Sequence, residues 1–229
     1  MFFYYDSTYL LVLAGVLLCV WASANVNRTY RKYSKVGNVR QITAEQAAAQ
    51  ILNRAGIGSV RIERVRGNLT DHYDPRSKVL RLSDSVYGSS SVAAIGVAAH
   101  ECGHAIQDSV GYVPIRIRSA IVPVVSLGSS LSWPLIVLGF FMGAPNLLHI
   151  GILLFSLAVV FQLITLPVEF NASGRALRIL DDSGILYGQE VEGAGKVLRA
   201  AALTYVASAL TSILQVLRLL LLAGRRNGR

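Results

Sequence analysis

The stretch His100-Glu101-Cys102-Gly103-His104 decides the reading of this chain. On an α-helix, four residues advance about 6 Å along the axis and about 40° past a full turn, so two imidazoles at that spacing can reach a single ion. The glutamate beside the first histidine borders the same face, placed to take a proton from water. The flanks support a buried helix: Val92 to Ala99 is small or apolar throughout, and Ala105, Ile106 and Gln107 continue it. Two imidazoles in such a run need partners, because an unpaired polar group in an apolar interior is costly. The five residues alone leave two readings, a metal pair or two hydrogen-bonded core histidines.

Composition narrows the class. The chain has 229 residues, 53% of them hydrophobic, and a mean hydropathy of +0.48. A wholly soluble domain of this size is less apolar, whereas one small domain plus several membrane segments accounts for the balance. The net charge is +9. Its basic residues cluster beside apolar stretches, where they set topology in a bilayer. No nucleic-acid-binding motif accompanies them, so nucleic acid is not an expected partner. The two cysteines, Cys19 in an apolar run and Cys102 inside the motif, argue against a disulfide framework. Cys102 faces away from the histidines by helical spacing and reads as a packing residue.

Four stretches are long enough to cross a bilayer, which takes about 20 residues: roughly Tyr5–Ala24, Ile121–Gly143, Leu147–Val168 and Ala200–Ala223. The first lacks a basic leader and a small-residue cleavage site, so it reads as an uncleaved anchor. Ala144-Pro145-Asn146 is expected as a tight turn that makes a hairpin of the second and third. Arg28, Arg31, Lys32, Lys35 and Arg40 follow the first span, Arg116 and Arg118 precede the hairpin, and Arg175 and Arg178 follow it. The positive-inside rule then predicts an external N-terminus, with residues 25–120 and 169–199 in the cytoplasm. The expected organisation is an anchor (1–24), a first domain segment with the motif helix (25–120), the membrane hairpin (121–168), a second domain segment (169–199), and a membrane helix with a basic tail (200–229). In the last helix Thr204, Ser208, Thr211, Ser212, Gln215 and Arg218 share one face. That stripe either meets protein or water, or lies in the membrane interface. His149, near the outer end of the third span, reads as interfacial packing.

Between the first span and the hairpin the pattern is that of a small α+β unit. Thr43 with Gln46 resembles a capping box, Ala44–Ala55 continues as helix, and Gly56 fits its end. Ser59–Arg66 and Lys78–Ser83 have strand character, with turns at Gly67-Asn68 and Asp74-Pro75-Arg76. The fold class is therefore α+β with about four transmembrane helices, and predominantly helical.

A catalytic zinc takes three protein ligands and keeps one position open. Glu169 stands directly after the 22 residues of the third apolar stretch, where an acid is expensive unless it is paired or bound to metal. Its other reading is a helix-end carboxylate paired with Arg175. Asp181 and Asp182, in a turn-like setting, are weaker ligand candidates.

Further motifs surround these residues: Asp71-His72-Tyr73-Asp74-Pro75, Val79-Leu80-Arg81-Leu82-Ser83, Pro167-Val168-Glu169-Phe170-Asn171-Ala172-Ser173, and Ala200-Ala201-Ala202-Leu203-Thr204-Tyr205-Val206-Ala207. Together with His100–Gln107 they resemble the YugP-type membrane zinc metallopeptidases over nearly the whole chain. The layout is also similar to the HtpX-like membrane proteases, in which a membrane hairpin separates H-E-x-x-H from a glutamate ligand. Here Glu169 follows His104 by 65 residues. The resemblance implies a zincin-like domain of gluzincin type. One Zn2+ per chain would be held by His100, His104 and Glu169, with Glu101 as general base and a catalytic part for His72. The implied partners are a peptide or protein substrate and the lipid bilayer. The pattern departs at Ser173, where HtpX-like proteins carry an aspartate that braces a histidine; Asn171 is nearby.

The chemistry that follows is peptide hydrolysis by water, with Glu101 taking a proton and passing it to the leaving amine. His72, Tyr73 and Arg175 are candidates for the group that holds the oxyanion; the other reading of His72 is a solvated loop residue. By analogy with zincin proteases, the strand Lys78–Ser83 is an edge that receives extended substrate; its other reading is an ordinary sheet strand. The alternative function is a non-catalytic membrane scaffold with a structural zinc. Such a site favours a closed, cysteine-rich shell, and only Cys102 is near. About nine apolar residues precede His100, too few for the motif helix to span a bilayer. No phosphate-binding G-x-x-x-x-G-K-[ST] loop is present.

Overall fold

Without water to bond to, an apolar run satisfies its backbone only as a helix, and the longest elements follow that rule. The computed structural model describes residues 6–227, with side chains through Gly224. Tyr5 of the first apolar run and Arg229 of the basic tail lie outside the described residues, as do the side chains of Arg225 and Arg226. In chain order the elements are α1 (Tyr9–Tyr33), α2 (Ala44–Arg54), β1 (Arg61–Val65), β2 (His72–Asp74), β3 (Val79–Ser83), α3 (Val92–Ser109), α4 (Val113–Met142), α5 (Pro145–Asp182) and α6 (Gln189–Asn227). Helices α1, α4, α5 and α6 are each long and apolar enough to cross a membrane.

Two compact units divide these elements. One comprises the chain through Ser23, Ile117–Leu166 and the chain from Thr204; the other comprises Ala24–Arg116 and Pro167–Leu203. Among the described residues, the first unit is built from apolar helices. Ile136, Leu148, Ile152, Leu219 and Ala223 form a small buried cluster there, while Leu10, Trp21, Phe141 and Leu153 stay exposed, as lipid-facing residues do. Small residues let α4 and α5 approach closely: a Cβ on Gly139 would lie 2.7 Å from the Leu148 nitrogen. The connection between them is shorter than expected. Gly143, with φ 68°, and Ala144 make the turn, and Pro145 is already the first helical residue, a position where its missing N–H costs nothing. On the polar stripe of α6, Thr211 and Arg218 meet protein. Thr211 Oγ1 lies 3.1 Å from the Gly15 carbonyl oxygen, and the Arg218 guanidinium sits 4.3 Å over the Tyr9 ring.

The second unit holds the sheet and the motif helix. Ser91 caps α3, its Oγ accepting the Ala94 N–H. Gln46 Oε1 accepts the Thr43 N–H at the start of α2, and Gly56, just past its end, takes a left-handed φ of 72°. The sheet order is β1-β3-β2. β1 runs parallel to β3, and β2 pairs antiparallel to it, Tyr73 opposite Leu80. β3 is therefore the central strand, buried on both faces, and not the edge that the analogy with zincins assigned to Lys78–Ser83. The edge beside the motif helix is β2, a three-residue strand with too few alternating positions to stand out in the sequence. Ile51, Leu52, Leu80, Leu82, Ile95, Leu180 and Leu186 fill the core between α2, the sheet and α3. Cys102 is fully buried with its thiol towards the Ala48 carbonyl, the packing role that its spacing suggested.

Candidate metal centre

Glu169, His100 and His104 all belong to the second unit, and the fold gathers them. A Cβ on Gly103 would lie 2.6 Å from the Ala172 carbonyl oxygen, so α3 and α5 pack backbone to backbone just where the motif lies. That close approach brings Glu169, one turn before Ala172, onto the face that carries both histidines. Their ligand atoms all lie within 4.8 Å of one another. His100 Nε2 is 3.2 Å and His104 Nε2 3.7 Å from Glu169 Oε2. Metal–ligand bonds of about 2.0–2.1 Å in a tetrahedron put neighbouring donors about 3.4 Å apart, so the spacing fits one zinc-sized ion. The donor set also fits: two imidazoles and a carboxylate are what zinc takes when it keeps a position open. No other group of three such side chains converges among the described residues.

The electrostatics agree with a cation site. Glu169 is only 2% exposed. Burial pushes its carboxyl up, but the His100 and His104 rings beside it outweigh burial and hold it well below the usual carboxylate range. For His104 burial favours the neutral ring, and Glu169, Glu101 and Gln107 together outweigh it and raise the ring's pKa. A charged carboxylate at the centre of two imidazoles is thus the favoured state.

The outer nitrogens of both rings are occupied. His100 Nδ1 lies 3.0 Å from Ser173 Oγ, so a hydroxyl stands where the HtpX-like pattern has an aspartate. His104 Nδ1 lies 3.0 Å from Gln107 Oε1. With Nδ1 on each ring engaged outward, Nε2 is the atom turned to Glu169, an arrangement common to metal-bound histidines. Glu101 is buried beside them, and its Oε2 accepts the Tyr73 backbone N–H at 3.0 Å. The free edge of β2 therefore holds the motif glutamate.

The chain matches the model of a family described as "Putative neutral zinc metallopeptidase" over residues 8–224. The chain belongs to this family. It is also 47% identical, over 93% of its own length and 94% of the relative's, to "Putative membrane protease YugP" of Bacillus subtilis (strain 168). No solved structure gives a significant match. Membership of a zinc metallopeptidase family, together with four membrane-length helices, makes this a multi-pass membrane member.

Other expected site residues fall elsewhere. His72 is exposed, its Nδ1 2.9 Å from the Thr70 carbonyl oxygen and its Nε2 towards Arg81, and it is not part of the three-residue group. The Tyr73 hydroxyl donates to Asp108 at 2.8 Å; burial, and then Asp108, raise its pKa. Arg175 Nε donates to Asn171 Oδ1. Asp181 and Asp182 end α5, and the converging group does not include them. The sequence pattern alone marks neither the Tyr73 N–H nor Gly103, and shows Gln107 only as a continuation of the helix. Gln107 did carry a signal, an amide in an otherwise apolar run three residues after a histidine. The backbone N–H and the glycine contact carried none.

Proposed function

We propose that the chain is a membrane-embedded, zinc-dependent endopeptidase, with His100, His104 and Glu169 as metal ligands and Glu101 as general base. The observation that supports it best is the convergence of two Nε2 atoms and one buried carboxylate oxygen, with a second carboxylate tethered beside them. Zinc held there would supply a Lewis acid that acidifies water and polarises a carbonyl. The rest falls to the chain's own groups. Tyr73 N–H fixes Oε2 of Glu101, leaving Oε1 to take a proton from the attacking water and deliver it to the leaving amine. Serine and glutamine on the outer nitrogens keep the imidazoles oriented. His72, one residue before Tyr73 and exposed, is the candidate group to meet the substrate from β2. The substrate class is a peptide or protein. The basic flanks assign residues 25–120 and 169–199 to the cytoplasmic side.

Glu101→Gln tests the reading, since it keeps size and removes the base. Zinc content should be unchanged, while hydrolysis of an unfolded protein such as casein falls roughly 10²–10⁴-fold, the usual scale of general acid–base catalysis. Equal hydrolysis by wild type and variant would refute the mechanism and favour a structural zinc.

A further inference from the structure

Gln107 makes three hydrogen bonds, and only one assignment of its amide satisfies them. The residue is completely buried on α3, one turn after His104. One end of its amide lies 2.8 Å from the Val168 carbonyl oxygen and 3.0 Å from Asn171 Oδ1; the other end lies 3.0 Å from His104 Nδ1. A backbone carbonyl can only accept, so the atom facing Val168 must be the NH2 group. Asn171 is oriented independently and in the same sense. Its Oδ1 also accepts from Arg175 Nε at 2.8 Å, and a guanidinium can only donate. The amide oxygen of Gln107 is thereby forced onto His104. An oxygen acceptor at Nδ1 requires that Nδ1 carry the hydrogen, which leaves the lone pair of a neutral ring on Nε2.

We infer that Gln107 is a positioning residue that fixes the metal-binding tautomer of His104 and ties it to the helix turn that carries Glu169. The inference rests on the zinc reading above. Arg175, Asn171 and Gln107 form a relay that ends on His104, and Val168, whose carbonyl anchors the relay, is the immediate neighbour of Glu169. One side chain thus sets the tautomer of one ligand and the placement of another. His100 is held differently. Its partner is the hydroxyl of Ser173, which can rotate to donate or accept, so the hydroxyl alone does not select a tautomer. The two histidines are unequally committed, His104 by a rigid amide and His100 by an adaptable hydroxyl.

Zinc affinity of the full-length protein in detergent, measured by competition with chelators of graded strength, tests this. Gln107→Met keeps the volume and removes every hydrogen bond. Gln107→Glu keeps an oxygen for His104, and in its protonated form can still donate to the Val168 carbonyl. Gln107→Met should weaken zinc roughly 10–100-fold, the usual cost of losing an outer partner of a metal ligand. Gln107→Glu should stay close to wild type. Both comparisons are made on chelated protein whose circular dichroism matches wild type. Equal weakening by the two variants would mean a mere helix cross-link and would overturn the inference, as would wild-type affinity in Gln107→Met. A wild-type chain that takes up no zinc would overturn the zinc reading and this inference with it, a distinguishable result. A second measurement needs no variant. In zinc-loaded wild type with 15N-labelled histidine rings, His104 should carry its hydrogen on Nδ1. A His104 bound to metal through Nδ1 would overturn the inference.

Discussion

Gly103→Ala is the sharpest perturbation that the packing offers. The added Cβ would meet the Ala172 carbonyl oxygen at 2.6 Å and the Ala172 carbonyl carbon and Cα at 3.1 Å. These are backbone atoms of a helix, so no side-chain rotation relieves the contact. Restoring ordinary contact at 3.4 Å moves α5 about 0.8 Å from α3. Glu169 lies one turn from Ala172 and moves with it, whereas a metal site tolerates only about 0.2 Å in its ligand distances. Overpacking costs about 1–3 kcal/mol. Alanine returns about 0.8–1.0 kcal/mol of helix propensity, so net destabilisation is only about 0–2 kcal/mol. Affinity is therefore the decisive readout. Chelator competition should show zinc weakened about tenfold or more, the scale on which an outer partner counts, while the metal-free protein unfolds within a few degrees of wild type. Gly174→Ala is the control, because a Cβ there meets nothing within 4 Å; it should bind zinc normally. Wild-type zinc affinity in Gly103→Ala would refute the argument that close helix approach sets the ligand spacing.

Three further outcomes are expected. Glu169→Ala should lose most of its zinc, measured as metal per chain after gel filtration; full retention would remove Glu169 from the ligand set. Cysteines placed at Ser59 and Glu192, one in each chain segment of the second unit, should react alike with an impermeant maleimide, and only after cells are permeabilised; opposite reactivity would separate the two halves of the proposed site across the bilayer. Tyr73→Phe removes the hydroxyl that donates to Asp108 and should cost about 1 kcal/mol in denaturant unfolding of the chelated protein. It should leave zinc affinity unchanged, because the backbone N–H on Glu101 remains.

Long periodic signals were legible in the sequence, and short or non-local ones were not. Twenty-residue apolar runs leave the backbone only one way to satisfy itself, so α1, α4, α5 and α6 could be read directly. The i, i+4 histidines announced a shared face by geometry alone. The acid after the third apolar run was conspicuous for its cost, and Glu169 does converge with the two imidazoles. β2 escaped because three residues hold no periodicity, and with it went the order of the sheet, which placed β3 in the centre. The brace on Glu101 comes from a main-chain N–H, a group that every residue but proline carries. The role of Gly103 depends on what stands opposite it, 69 residues further along the chain at Ala172.

The 65-residue interval between His104 and Glu169 also orders events during synthesis. Between the two lie the whole of α4 and the apolar part of α5. A nascent chain that has produced α3 owns a pair of imidazoles and the motif glutamate, but not the carboxylate that completes the three-residue group. Ser173, Asn171 and the Val168 carbonyl, which orient the rings, arrive with that same later turn. The candidate metal centre is thus assembled only after both arms of the hairpin have been made. A site built this way lacks its full donor set on the ribosome and is complete only once most of the membrane part exists.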